Sequence, residues 1–347
     1  MTPTDRPDLP PSGLTWTSAM LAAALAALGR PGTWVIALAG FLVRGGVVVL
    51  LAPIVVIPST IGVANAVAPT LTPALFGQAA PAFVALVAGL VVGLTAWIIV
   101  GGLIGAWADL AMVRAAAADE ELESRPVLVE RPGAVWRGLA VRLVALIPLA
   151  AAIAWGSTRI VDAAYREIIL PDELTTPIVL RVLRDVPDAV GLIAIAWLLG
   201  ETVGGLAQRR LWSSGDSILG ALGRAIVGAV RRPGSTLSTL LLTNAVVAVA
   251  VVPPALVAGI AWDRLRVALA TRAGATELAA TLALFVGLWL AALLLAGAGT
   301  AWRSYAWTAE AARAGRRSSP ALGARTIGEP EVGRPGEWPS PDASGSL

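Results

Sequence analysis

The sequence predicts an all-α protein, a polytopic membrane bundle of six transmembrane helices built from three repeated elbow-plus-hairpin units. Three observations lead there. Of 347 residues, 56% are hydrophobic and only 14% charged, against ~25% charged in an ordinary soluble domain. Mean hydropathy is +0.76, so too little charge is present to cover a water-facing surface. Six apolar runs are each long enough to cross the ~30 Å hydrocarbon core, which takes ~20 helical residues. Finally, one tripeptide, Arg-Pro-Gly, recurs ahead of every second run.

The runs cover residues 34–57, 82–107, 136–155, 186–207, 236–262 and 278–302. In lipid every backbone N–H and C=O must be satisfied internally, which favours helices. A barrel would instead show segments of ~10 residues alternating apolar and polar, and these runs do not alternate. Residues 1–13 are polar and Pro-rich, with no basic cluster ahead of a short apolar core. The first run is therefore expected to serve as an uncleaved anchor. The membrane domain covers 14–313, with repeats at about 14–114, 115–215 and 216–313. The N-terminus 1–13 and the cytoplasmic tail 314–347, poor in large apolar groups, are expected to be disordered.

Arginine placement orients the bundle. Sixteen arginines fall in the N-terminus, the second and fourth connections and the tail, and seven in the first, third and fifth connections. The positive-inside bias then puts both termini in the cytoplasm of a multi-pass cell-membrane protein. Tryptophans agree with these boundaries. Trp34, Trp107, Trp136, Trp212, Trp302 and Trp307 stand near cytoplasmic ends, Trp155 and Trp262 near outer ends, as an interfacial belt requires.

Arg30-Pro31-Gly32, Arg131-Pro132-Gly133 and Arg232-Pro233-Gly234 stand 101 residues apart, each directly before an odd-numbered run. Even runs also end alike, in Gly105-Ala106-Trp107, Gly205-Leu206-Ala207 and Gly299-Thr300-Ala301-Trp302. Pro and Gly stop one helix and turn the chain before the next, while arginine snorkels to anionic headgroups. Ahead of the first and third triplets, residues 14–28 and 217–230 read as interfacial elbow helices. Leu14, Leu21, Leu25 and Leu28 share one side, as do Ile218, Leu222, Ile226 and Val230. In the middle copy the acidic stretch 119–123 followed by Pro126 departs from this pattern.

An elbow helix, a Pro-Gly stop and a six-span body together resemble poorly characterised bacterial six-helix membrane proteins of the glycerophosphodiester phosphodiesterase membrane-domain type. The likeness covers about residues 14–307. The hydrolase's catalytic domain has no counterpart here, so the resemblance implies a fold and carries over no activity and no functional residue.

Composition closes off much chemistry. Cys and His are absent and all 26 basic residues are arginine, which removes disulfides, Cys/His metal sites and a histidine base. The net charge of +3 comes from scattered arginines without a basic stripe, so nucleic acid is not an expected partner. No cofactor, metal site or catalytic group is expected, and no enzyme.

Charges inside spans are functional suspects, since one costs ~2.5–3.5 kcal/mol on insertion scales. Arg44, Arg142 and Glu201 are such charges, and Asn244 occupies a similar place in the fifth run. Arg142 and Glu201 lie at similar depth on neighbouring helices, so they are expected to pair, with Arg44 nearby and Asn244 hydrogen-bonded to the cluster. Gly89/Gly93, Gly101/Gly105 and Gly200/Gly204 permit close helix approach. Pro53, Pro148, Pro253 and Pro254 are expected to kink odd spans. Residues 157–188 read as a charged outer loop. The favoured role is a non-catalytic scaffold or accessory component, with the lipid bilayer and membrane proteins or a second copy as partners. The alternative is a permease or channel for a small solute or ion using Arg44, Arg142 and Glu201.

Overall fold

A computed structural model describes residues 15–55, 81–119, 126, 128–129, 131–169 and 178–316. The termini and connections between these stretches, including the proposed disorder of 1–13 and most of 314–347, lie outside the described residues. Among the described residues every regular element is helical. We number them α1 (Trp16–Gly29), α2 (Gly32–Leu51), α3 (Pro81–Ala117), α4 (Ala134–Ala145), α5 (Ile147–Ile169), α6 (Ile178–Asp185), α7 (Pro187–Ser214), α8 (Ile218–Arg231), α9 (Pro233–Ala270) and α10 (Ala275–Arg316).

Five helices, α2, α3, α7, α9 and α10, are long and apolar enough to cross a membrane. A sixth crossing arises if α4 and α5, which meet at 41°, count as one broken span. This is the helix inventory of a multi-pass membrane protein. Several helices overrun the apolar runs read from sequence, because a helix continues past the point where hydropathy falls. Thus α10 reaches Arg316, about four turns beyond the Trp302 boundary and past the start assigned to the tail at 314.

The third span bends by 41° at Leu146, two residues before Pro148, which stands in the first turn of α5 where proline loses no hydrogen bond. Pro253 and Pro254 lie inside α9, which continues through them as one helix. One local reading is corrected. Residues 157–169 and 178–185 are helical and not loop, because α5 extends to Ile169 and α6 follows. Their charges are satisfied along and between these helices. Arg166 pairs with Asp162 at 3.1 Å, Arg159 with Asp188 at 3.3 Å and Arg181 with the buried Glu167 at 2.8 Å.

Both elbows form, and each begins with a hydroxyl cap. Thr15 accepts from the Ser18 amide and Ser217 from the Gly220 amide, satisfying donors that a helix start leaves free. On α1, Leu21, Leu25 and Leu28 are about 60% exposed in one row while Ala19, Ala23, Ala26 and Ala27 are buried toward α10. On α8 the expected row divides. Leu222 is buried with Ala221 and Ala225, and Leu219, Ile226, Val227 and Val230 are exposed in its place. Small alanines toward the bundle and large aliphatics away from it are what a helix lying between protein and lipid needs.

Each arginine of the three triplets lies against the C-terminal end of a spanning helix. Arg30 donates to the Ala115 carbonyl of α3 at 3.0 Å and pairs with Asp119 at 3.4 Å. Arg232 donates to the Arg313 carbonyl of α10 at 3.1 Å. Arg131 packs on Gly215, the left-handed cap of α7 (φ 64°), so closely that a Cβ there would stand 3.0 Å from its Nε. Late carbonyls of a helix lack intrahelical donors and carry partial negative charge. The triplet therefore clasps the far end of the hairpin that it begins, beyond any contact with headgroups.

Indoles reinforce the clasp. Trp34 donates to the Ala27 carbonyl, Trp302 to that of Met20 and Trp16 to Thr239 Oγ1. Trp212 and Trp307 are 3% and 4% exposed and sit in a core cluster with Leu110, Val141 and Leu211. They therefore fill the interior and are not part of an interfacial belt.

Helices α9 and α10 form the most extensive contact, and α10 also packs on α2, α1 and α3. Close approach depends on glycine at two crossings. A Cβ on Gly297 would lie 2.9 Å from the Trp34 carbonyl oxygen, and one on Gly259 2.6 Å from Pro53 Cβ. Gly287, on the same helix as Gly297, faces open space. Gly297→Ala should therefore destabilise the detergent-solubilised protein by about 1–3 kcal/mol. Gly287→Ala should be neutral or stabilising by up to ~1 kcal/mol through helix propensity. Paired thermal melts of the two variants check this, and equal shifts would contradict it.

Candidate functional site: an arginine-rich cavity in the bundle

The site begins with a distortion in α2. Residues Leu42–Gly46 form a π-helical turn, within which Arg44 (φ −90°, ψ 16°) and Gly45 (φ 99°) leave helical geometry. A positive φ of that size is open to glycine at no steric cost. Such turns add one residue to the helix and redirect a side chain. Arg44 is turned onto α3, where it donates to the Gly105 carbonyl at 2.6 Å and forms an ion pair with Asp109. Gly105 makes room for it, since a Cβ there would stand 3.0 Å from Arg44 Nε.

A second network crosses three other helices. Arg142 of α4 and Glu201 of α7 form an ion pair, and Arg303 of α10 donates to the other Glu201 oxygen at 2.6 Å. Small residues let α4 and α7 meet there. A Cβ on Gly204 would touch Ala145 Cβ and the Arg142 side chain, and one on Gly200 would stand 3.2 Å from the Ala145 carbonyl oxygen.

Arg209, two turns beyond Glu201 on α7, is 6% exposed. Its guanidinium donates only to neutral oxygens. These are the Gly205 carbonyl at 2.9 Å, Thr308 Oγ1 at 3.1 Å, and the carbonyl and hydroxyl of Ser304 at 3.2 and 3.3 Å. Among the described residues no carboxylate lies within ion-pair distance of it.

All six of these charged residues line one cavity of about 280 Å³. That volume is at the lower edge of the ~300–1,000 Å³ of small-molecule sites. Trp197, Gln208, Thr300 and Ser304 add polar groups to the wall, and Phe41, Val49 and Trp307 are among its apolar residues. Four guanidinium groups face two carboxylates, which leaves a formal excess of two positive charges inside a helical bundle. Arg44, with 37% of its side chain exposed, marks where the cavity meets the outside of the protein.

Of the residues singled out in the sequence, the structure brings Arg44, Arg142 and Glu201 to this cavity. Asn244 donates to the Leu240 carbonyl of its own helix at 2.9 Å and does not line it. Gly89 and Gly93 meet nothing within 4 Å among the described residues, whereas Gly101, Gly105, Gly200 and Gly204 each approach another helix. The triplet arginines stand at the helix ends and outside the cavity wall.

Sequence reasoning missed Asp109, Arg209 and Arg303 by assigning them to the polar side of three span ends. A signal was available. Each stands four residues after the glycine of the shared ending, in Gly105/Asp109, Gly205/Arg209 and Gly299/Arg303. Residues four apart share a helix face, so a face that opens on glycine and ends on a charge points into the bundle. Extending the comparison of the even spans by a few residues would have found all three.

A larger cavity of about 360 Å³ lies at the α4 and α7 ends, lined by Arg114, Arg131, Leu128 and Trp212 among others. It borders residues outside the described set. Comparison of the chain with protein-family models, curated proteins and solved structures finds no match.

Removing a carboxylate that two half-buried cations share leaves both uncompensated. Glu201→Gln should cost about 3–5 kcal/mol in a detergent melt. Asp162→Asn, which breaks an exposed i,i+4 pair, should change stability by less than ~0.5 kcal/mol. Equal effects would refute a buried role for Glu201.

Proposed function

We propose that this membrane protein binds a small anion in the cavity between α2, α3, α4, α7 and α10, and acts as a permease for it. The observation that carries this reading is the unbalanced charge, four arginines against two carboxylates around an open volume. A purely structural ion network favours neutrality, because each uncompensated charge inside a bundle is expensive. An excess of two cations around a cavity is instead matched by an anion that enters it. Arg209 supplies a positive charge that no carboxylate among the described residues offsets, and Glu201 holds Arg142 and Arg303 in place. The reading is therefore binding and passage.

The same proposal includes both termini in the cytoplasm, supported by the arginine bias, and a build from three hairpins. The hairpin build draws support from the three triplet arginines, each of which holds the end of the even span that follows it. Under this reading the cavity lies at the junction of the hairpins.

A second reading, an accessory subunit that packs against another membrane protein or a second copy, is favoured by the first half of α3. Pro81–Ala96 buries no residue at all, and its Gly89/Gly93 face is the small-residue surface that helices in lipid use to associate.

A panel of small anions tests the first reading. An anion that binds only the folded protein stabilises it by about 2.7 kcal/mol at a hundred times its Kd. We expect at least one oxyanion to raise the melting temperature and to cross proteoliposome membranes, with both effects lost in Arg209→Gln. Absence of any anion-dependent shift would overturn the reading. A shift without flux, together with a stoichiometric partner in mild detergent, would move the role to the accessory subunit.

A further inference from the structure

Gln208 supplies a detail that charge alone does not explain. It lies in the cavity wall beside Arg209 and is 1% exposed. Its Nε2 donates to the Gly138 carbonyl at 3.0 Å, which fixes the amide orientation and leaves Oε1 as a bare acceptor. That Oε1 is buried and has no partner among the described residues. A buried acceptor left unmet is costly, and native proteins rarely tolerate one. The cavity therefore combines positive charge in excess on its arginines with one acceptor that needs a proton from elsewhere, Gln208 Oε1.

Resting on the anion reading above, we infer that the ligand is a small oxyanion that carries its own hydroxyl, of the phosphate monoanion or dianion class. The charged oxygens of such an ion accept from the arginines, and its hydroxyl donates to Gln208 Oε1. A fully deprotonated oxyanion of the same shape meets the arginines equally well. It then sets a lone pair against the amide oxygen, which neither satisfies Gln208 nor avoids repulsion. A halide offers no donor either. A site built to bond a hydroxyl rejects the analogue that lacks it, because its own buried polar group is left unpaired. The same chemistry is offered by free phosphate and by the phosphomonoester headgroup of phosphatidic acid.

The experiment compares two matched pairs of tetrahedral ions with the delipidated, detergent-purified full chain, by calorimetry and thermal melting at neutral pH. Phosphate and arsenate carry a hydroxyl at that pH; sulfate and selenate do not. We expect phosphate and arsenate to bind at least tenfold more tightly than sulfate and selenate. Gln208→Leu is expected to bring the two pairs within about threefold by weakening the first and leaving the second unchanged. The selectivity of the unaltered chain decides the matter even if that variant fails to fold. Equal affinity for all four ions would overturn the hydroxyl inference and leave anion binding standing. No binding of any of them would overturn the anion reading itself. A final arm adds micelles containing phosphatidic acid. Displacement of bound phosphate by these micelles, and not by phosphatidylcholine micelles, assigns the hydroxyl-bearing group to lipid, and no displacement assigns it to the free ion.

Discussion

Glu201 accepts from Arg142 on one helix and Arg303 on another, and the interior of the bundle is arranged around that shared carboxylate. In lipid the hydrophobic effect does not press helices together, because the surrounding tails are as apolar as leucine. Association then rests on polar contacts and on backbones coming close. Glu201 provides the first, and Gly200 and Gly204, on the same helix, provide the second by letting α4 lie against α7. The neighbouring pair, Arg44 with Asp109, ties α2 to α3 in the same way. Helices α2 and α3, and helices α4, α7 and α10, are thus joined by two ionic knots that border one volume.

The edges of the bundle follow a different rule. There the late carbonyls of α3 and α10 receive side-chain donors from Arg30 and Arg232, and Arg131 covers the cap of α7. A guanidinium that serves a helix end in this way does more than anchor in headgroups. It sets the distance between the start of one helix and the finish of the next, so entry and exit of a hairpin are held at one level. The elbows α1 and α8, with alanine inward and large aliphatics outward, then close the gaps between these held ends.

Much of the fold was legible because hydropathy is a one-dimensional signal that survives without tertiary context. The six apolar runs, both elbows and the triplets are all of that kind. Boundaries were less legible, since α3, α9 and α10 continue as helix past the ends of the apolar runs. Trp212 and Trp307 were assigned to an interface by position, and only packing shows that their indoles fill the core. The cavity was half legible. Arg44, Arg142 and Glu201 stood out as charges amid apolar residues. Asp109, Arg209 and Arg303 stood at the polar margins, where charge is ordinary, and their convergence depends on helix phase. Asn244 looked equivalent by spacing, yet a short amide can satisfy itself on its own helix, and it does so.

The π-helical turns in α2 and α3 face each other, with Gly101 so placed that a Cβ would lie 3.2 Å from the Val43 carbonyl oxygen. A turn of that kind accommodates one extra residue, and each residue of a helix advances its direction by ~100°. The two halves of α3 are therefore out of phase with each other. The half after Gly101 points Gly105 and Asp109 at Arg44, while the half before Trp97 presents its whole circumference to the surroundings. Loss of one residue between Trp97 and Gly101 would restore a single phase and swing the free half by about a quarter of a circle, with the cavity wall left where it stands. In most helices a deletion of that sort scrambles everything downstream. Here the chain has a place where evolution can re-aim an outer surface without touching the interior chemistry.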